Sequence, residues 1–174
     1  TAPAEFKALY PPDKIQLPPN VPAEMQAKAR QEAQGYYAHC TALDKCIGDL
    51  LDTLAQTGLA TNTIVVFSSD HGETLGSQGV APTQKQAAWS ESAQVPFLLR
   101  VPGIAARTVS TPITTPDILP TLLGLAGVGL PKTIEGEDLS ALLRSGRDED
   151  RAALYMCVSP FAKDVPREKL REYR

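Results

Sequence analysis

Asp70, His71 and Glu73 place two carboxylates and an imidazole within one short stretch, 63-TIVVFSSDHGETLGSQG-79, directly after an apolar run. An aspartate carboxylate supplies hard oxygen ligands, and an imidazole can add a nitrogen ligand or move a proton. At the end of a strand the chain is leaving the pleat, so neighbouring side chains can face one crevice. In open α/β sheets, ligands bind in that position. The alternative is a turn or helix cap, with Asp70 accepting backbone N–H bonds and Gly72 allowing the bend. Local sequence leaves both readings open. Lys85, in the polar loop 76-GSQGVAPTQKQ-86, likewise reads as a solvated surface charge or as a point charge neutralising an anion beside a metal.

The elements that must position these residues follow from periodicity. Residues 1–22 contain six prolines, at 3, 11, 12, 18, 19 and 22. They read as an extended surface connection, because proline is excluded from long helices and central strands. From Ala23 to Gln56, Tyr36, Leu43, Ile47, Leu50, Leu51 and Leu54 fall largely three and four apart, the spacing of an amphipathic helix that Gly58 stops. Residues 63–67 form a continuous β-branched run suited to a strand buried on both faces, as in a parallel α/β sheet. A second strand is predicted over 95–100. Helices follow from Pro116 to Gly127 and over 137–146, then a strand at 152–158 and a charged helical tail at 164–174. This order indicates an α/β domain.

Composition narrows the function classes. The 174 residues include 43% hydrophobic and 21% charged side chains, ordinary for a globular domain, and the net charge is −3. No basic cluster interleaves with aromatics, so nucleic-acid binding has no support. No apolar run approaches the ~18 residues that span a bilayer. Cys40 and Cys46 sit roughly 9 Å apart on one helix, beyond the ~7 Å reach of a disulfide. They read as core or near-core residues. With Cys157 far away and no C-x-x-C pair, neither a staple nor a zinc site is indicated.

Three ordered segments together resemble the later half of a type I sulfatase, of the alkaline-phosphatase-like superfamily. They are 36-YYAHCTALDKCIGDLLDTLAQTGLATNTIVVFSSDHGETLG-76, then Lys85-x3-Trp89-x-Glu91-Ser92-x2-Val95-Pro96, then 117-DILPTLLGLAG-127. The resemblance runs in register from Pro3 to Arg144. It implies an alkaline-phosphatase-like sandwich with a largely parallel central sheet flanked by helices. Residues 1–22 would be a Pro-rich connection, 23–146 the C-terminal part of the catalytic domain, and 147–174 the start of a C-terminal subdomain.

For the site, the resemblance implies that Asp70 and His71 hold a divalent cation, calcium in first place and magnesium or manganese as alternatives. Lys85 corresponds to the lysine that contacts the sulfate oxygens. Glu73 hydrogen-bonds its own loop, and Glu91 supports the Lys85 loop from behind. Asp44 and Asp117 are structural positions near helix ends, and His39 is a packing or surface residue. The family nucleophile is a formylglycine made in a Cys/Ser-x-Pro/Ala-x-Arg motif. No cysteine here has that context, because Cys40, Cys46 and Cys157 all lack the arginine. A catalytic histidine and two further acidic ligands also belong to the earlier half. The expectation is therefore a C-terminal portion carrying part of the site, inactive alone and prone to self-association through unpaired strands.

The implied substrate is a small-molecule or carbohydrate sulfate ester. Phosphodiesterase or phosphonate monoester hydrolase chemistry, or a non-catalytic remnant, are the alternatives. Gly76-Ser77-Gln78-Gly79 stands where many relatives have Gly-Asp-His-Gly, Ser90 where Glu is common and Gln94 where Arg is common. These departures bear on substrate preference. The compartment stays open: periplasmic or secreted with a leader, cytoplasmic without one.

Overall fold

The computed structural model describes residues 2–85 and 89–152. The prolines near the start allow one helical turn, α1 (Ala4–Lys7), and 3₁₀ turns at Pro12–Lys14 and Ala23–Met25. Each follows a proline whose extended backbone leads into the turn. This stretch lies along α2 (Gln26–Gln56). The Tyr10 hydroxyl meets Thr41 Oγ1 at 2.6 Å, and the Tyr10 ring packs edge-on to Tyr37 at 5.6 Å. Arg30 Nη1 donates to the Ile15 carbonyl at 2.7 Å and Gln34 Nε2 to the Lys7 carbonyl at 3.3 Å.

The buried face of α2 differs from the expected one. Ala29, Ala33 and Ala38 are fully buried, whereas Leu43 and Leu50 are exposed. Alanines let the proline-rich segment and the 74–80 loop approach the helix axis, and the leucine stripe has no full cover among the described residues. Cys40 and Cys46 are exposed free thiols rather than core residues, for the same reason. Gly58, in the left-handed region at φ 74°, ends the helix as expected.

β1 (Val65–Ser68) and β2 (Phe97–Arg100) pair antiparallel, Val65 opposite Arg100 and Ser68 opposite Phe97. The largely parallel sheet implied for the fold is not seen among the described residues, whose one strand pair is antiparallel. A parallel pair needs a crossover of a dozen or more residues, usually helical. The described part of the 69–96 connection holds only the single turn α3 (Ser90–Ala93) and a 3₁₀ turn, and the chain simply reverses. Nor are both faces buried. Val65, Phe67 and Leu98 share one face and Val66 and Leu99 the other. Leu98 is 63% exposed on the first and Val66 37% on the second. An apolar cavity of about 710 Å³ lies between α2, the sheet and the segments that follow, lined by Ile47, Leu51, Val65, Phe67, Leu99 and Leu142.

α4 (Thr115–Ala126) begins with a capping box in which Thr114 and Asp117 bond reciprocally. Pro116 sits in the first turn, where its missing N–H costs nothing. α5 (Ser140–Ser145) docks on α4: Leu139 N donates to Thr121 Oγ1 at 3.0 Å and Arg144 Nη2 to the Leu125 carbonyl at 2.8 Å. Residues 147–152 return to the same body. Arg107 bonds Asp148 and the Arg147 carbonyl, and Arg151 grips Asp117 with both terminal nitrogens at 2.8 and 3.0 Å. The strand expected at 152–158, apart from Ala152, and the tail at 164–174 lie outside the described residues, as does Cys157.

Candidate active site

β1 delivers the chain to Ser69 and Asp70, where the strand ladder ends and the chain runs irregularly up to a 3₁₀ turn at Ser77–Gly79. The Asp70 carboxylate is 83% exposed and the His71 ring 37%, with Asp70 Oδ2 and His71 Nε2 3.4 Å apart. Asp70 Oδ1 accepts the His71 backbone N–H at 3.0 Å, and Ser69 Oγ donates to the His71 carbonyl at 2.8 Å. These local bonds are the turn chemistry that the short sequence suggested, and they leave Oδ2 free. The Asp70 carboxyl lies below its ordinary value. Desolvation, the largest single influence, pushes it up, but the His71 N–H, the His71 ring, its own N–H and the Ser69 hydroxyl together outweigh it.

His71 Nδ1 lies 2.8 Å from the Gly72 carbonyl oxygen. A carbonyl can only accept, so this bond puts a proton on Nδ1 and leaves Nε2, on the Asp70 side, as the ring nitrogen open to a cation. Fixing the tautomer through the remote nitrogen is how metal-binding histidines are commonly oriented. Two donors 3.4 Å apart can serve one cation at metal–ligand distances of about 2.4 Å. The pair therefore fits a divalent cation as two of its ligands. Among the described residues, no three His, Cys, Asp or Glu side chains converge, so a complete ligand set is not formed from them.

Gly72 locks this turn onto the segment that follows Lys85. Its N–H donates to the Ser92 carbonyl at 2.8 Å. A Cβ at Gly72 would drive into the Glu91 carbonyl oxygen, so only glycine allows the approach. Ser92, fully buried at 2% exposure, turns its Oγ to donate to the Lys85 carbonyl. The two loops are thus tied by one residue bonded to both. Lys85 itself is exposed, and its ammonium takes part in no hydrogen bond or ion pair among the described residues.

Glu73 and Glu91 are each engaged by hydrogen bonds of their own. Glu73 Oε1 accepts the N–H of Thr74 at 3.0 Å. Glu91 Oε1 accepts from Asn20 Nδ2 at 3.0 Å and Gln78 Nε2 at 3.3 Å. Its own backbone N–H, then Asn20 and Gln78, hold the Glu91 carboxyl below its ordinary value against a smaller desolvation. Leu75 (φ 48°) and Gln78 (φ 60°) adopt left-handed backbone conformations between these anchors, an uncommon state for residues other than glycine. His39 is exposed. Sequence reasoning did not single out Ser92, Asn20 or Gln78 as ties. The signal for Ser92 was its place in Glu91-Ser92-x2-Val95-Pro96, whereas the Asn20 and Gln78 bonds depend on loop geometry that no motif carries.

The structure thus brings together an Asp-His pair at a strand end and the loop that carries Lys85, tied through Ser92. A family model described as Sulfatase matches residues 3–128. The chain belongs to the sulfatase family, within the alkaline-phosphatase-like superfamily. It is 52% identical over its whole length to an ulvan-active sulfatase of Formosa agariphila, covering 35% of that protein. Among solved structures, it superposes with a TM-score of 0.77 and 36% identity on a sulfatase described with glycosaminoglycan metabolism in Bacteroides thetaiotaomicron. That match covers 87% of this chain and 32% of the other. A phosphonate monoester hydrolase from Silicibacter pomeroyi, at 24% identity and a TM-score of 0.74, shares the fold. The chain spans about a third of the length of the curated relative and of these structures.

Proposed function

We propose that this chain forms part of the active centre of an enzyme that hydrolyses sulfate monoesters, with a sulfated carbohydrate as substrate. The observation that carries the reading is the tie through Ser92, which holds the Asp70–His71 turn beside the Lys85 loop. Asp70 Oδ2 and His71 Nε2 would hold one divalent cation, calcium in first place. When bound, that cation supplies a Lewis acid that polarises the sulfuryl oxygens. Lys85 brings an uncommitted positive charge to the negative charge that develops on those oxygens. Gly72 and Ser92 keep the two in register, and Ser69 fixes the turn.

The remaining ligands and the nucleophile lie, in this reading, on parts of the whole enzyme outside these 174 residues. The same holds for the sheet. We place β1 and β2 at one side of a largely parallel central sheet, supported by the exposed Val66 and Leu98 and by strand edges unpaired among the described residues. Studied alone, the chain would self-associate through these edges.

The carbohydrate substrate is supported by the ulvan-active relative. Rates of the full-length enzyme on paired aryl sulfate and aryl phosphate esters test the reaction class. Preference for the sulfate is expected, and preference for the phosphate overturns the assignment.

A further inference from the structure

A second cavity, of about 310 Å³, opens between α1, α2 and the loop that leaves the Asp70–His71 turn. Glu73 and Leu75 line it, and Glu73 is two residues from His71. Its edge is therefore within roughly 7 Å of chain from the metal pair. Unlike the apolar cavity beside the sheet, this one is lined by mixed chemistry: Lys7, Glu32, Tyr36, His39 and Glu73. The side chains of Lys7, Glu32 and His39 take part in no hydrogen bond or ion pair among the described residues.

Gly35 lies at the floor of the cavity, inside α2. Glycine in a helix interior is unfavourable relative to alanine, and here nothing lies within 4 Å of where a Cβ would stand. No packing demand accounts for the glycine, and a side chain placed there would project into the cavity that Gly35 lines. Beside it the Tyr36 ring, 43% exposed, gives a flat apolar wall. The Tyr36 hydroxyl is raised above its ordinary value by desolvation, with Cys40 and then Glu73 adding to the rise. Helix and loop therefore face each other across the cavity. On the loop side, Leu75 is held with φ 48°, a conformation costly for leucine that persists only where the surroundings impose it.

We propose that this cavity is a sugar subsite, which receives the saccharide next to the sulfated one. The Tyr36 ring offers a face for the apolar side of a pyranose. Glu32 and Glu73 accept from its hydroxyls, and Lys7 and His39 meet a carboxylate or sulfate on the same sugar. An aromatic wall, hydroxyl acceptors and a cation in one open hollow match a saccharide better than a small aryl ester. The inference rests on the reading of the chain as part of a carbohydrate sulfatase and assigns that enzyme its extended substrate.

The test uses the full-length enzyme, a sulfated ulvan tetrasaccharide and an aryl sulfate. Two variants are compared, Tyr36→Ala and Gly35→Leu. The first removes the wall, and the second fills the floor while improving helix propensity. Both should lower tetrasaccharide affinity by about tenfold in calorimetry, the scale of losing one aromatic anchor. Aryl sulfate kcat/KM should stay within about twofold, and Gly35→Leu should melt no lower than the parent. Unchanged tetrasaccharide affinity, or an equal loss on both substrates, overturns the subsite. If the parent hydrolyses neither ester, the sulfatase reading fails, and the calorimetric comparison still decides the cavity.

Discussion

The backbone N–H of Gly72 and the carbonyl oxygen of Ser92 are joined at 2.8 Å, and through that bond the Asp70–His71 turn is held against the segment that carries Lys85. Twenty positions separate the two residues, so this contact is what makes two loops into one site. It also explains the glycine, since any side chain at position 72 meets the Glu91 carbonyl.

Gly72→Ala should therefore be damaging out of proportion to one methyl group. The Cβ must displace backbone rather than a flexible side chain. Overpacking of this kind costs about 1–3 kcal/mol, to be read as a lower urea midpoint at unchanged slope. In the full-length enzyme the turnover rate should fall as well, because the displaced turn carries Asp70 and His71, the two metal donors proposed above. Parental stability and rate together would mean that the two loops are not held through this contact.

Much of this arrangement was legible in the sequence, and the misses have physical causes. The strand end before Asp70, the Gly58, Gly127 and Gly146 helix stops and the role of Asp117 near a helix end all follow from local rules that leave residue signatures. The strand relation did not. A short apolar run says that faces are to be covered but carries no information on the direction of its partner, and β1 and β2 proved antiparallel. The buried face of α2 was misjudged because periodicity favours the large apolar residues. Close packing against the proline-rich segment instead selected Ala29, Ala33 and Ala38. At the site, the motif residues were visible, but the Asn20 and Gln78 donors that engage Glu91 were not, since those bonds join loops distant in sequence.

Lys85→Ala in the full-length enzyme should lower kcat by about 10²–10³, the scale for removing one stabiliser of transition-state charge. Substrate affinity should change less than the rate, because the charge being met grows along the reaction. Steady-state kinetics on an aryl sulfate checks this, with metal content measured alongside. A variant with a parental rate would take Lys85 out of the reaction.

Asp117 gives the fold a defined acid sensitivity. It is 2% exposed and gripped by Arg151, which holds its carboxyl well below the usual carboxylate range. Desolvation opposes this, and the Glu137 N–H and Thr114 add to it. A depressed folded-state value means stability that is fully present above the unfolded value, about 3.9, and lost as pH falls below it. Urea midpoints should thus be flat from pH 7 to about 5 for this group and drop towards pH 3. Arg151→Ala leaves a buried carboxylate with fewer partners. It should cost about 2–3 kcal/mol at pH 7 and flatten the acid limb. An Arg151→Ala variant with the parental acid limb would show that the pair does not set it.

The central claim is that Asp70 and His71 hold the cation on which sulfate-ester hydrolysis depends. The most direct measurement is aryl sulfate turnover by the full-length enzyme and its Asp70→Ala variant, after chelation and again after calcium is restored, with bound metal quantified in each state. The parent should lose activity with its metal and regain both. Asp70→Ala should bind the metal weakly and remain near inactive at calcium levels that restore the parent. Full activity in the chelated parent, or a parental rate and metal content in Asp70→Ala, would contradict the claim.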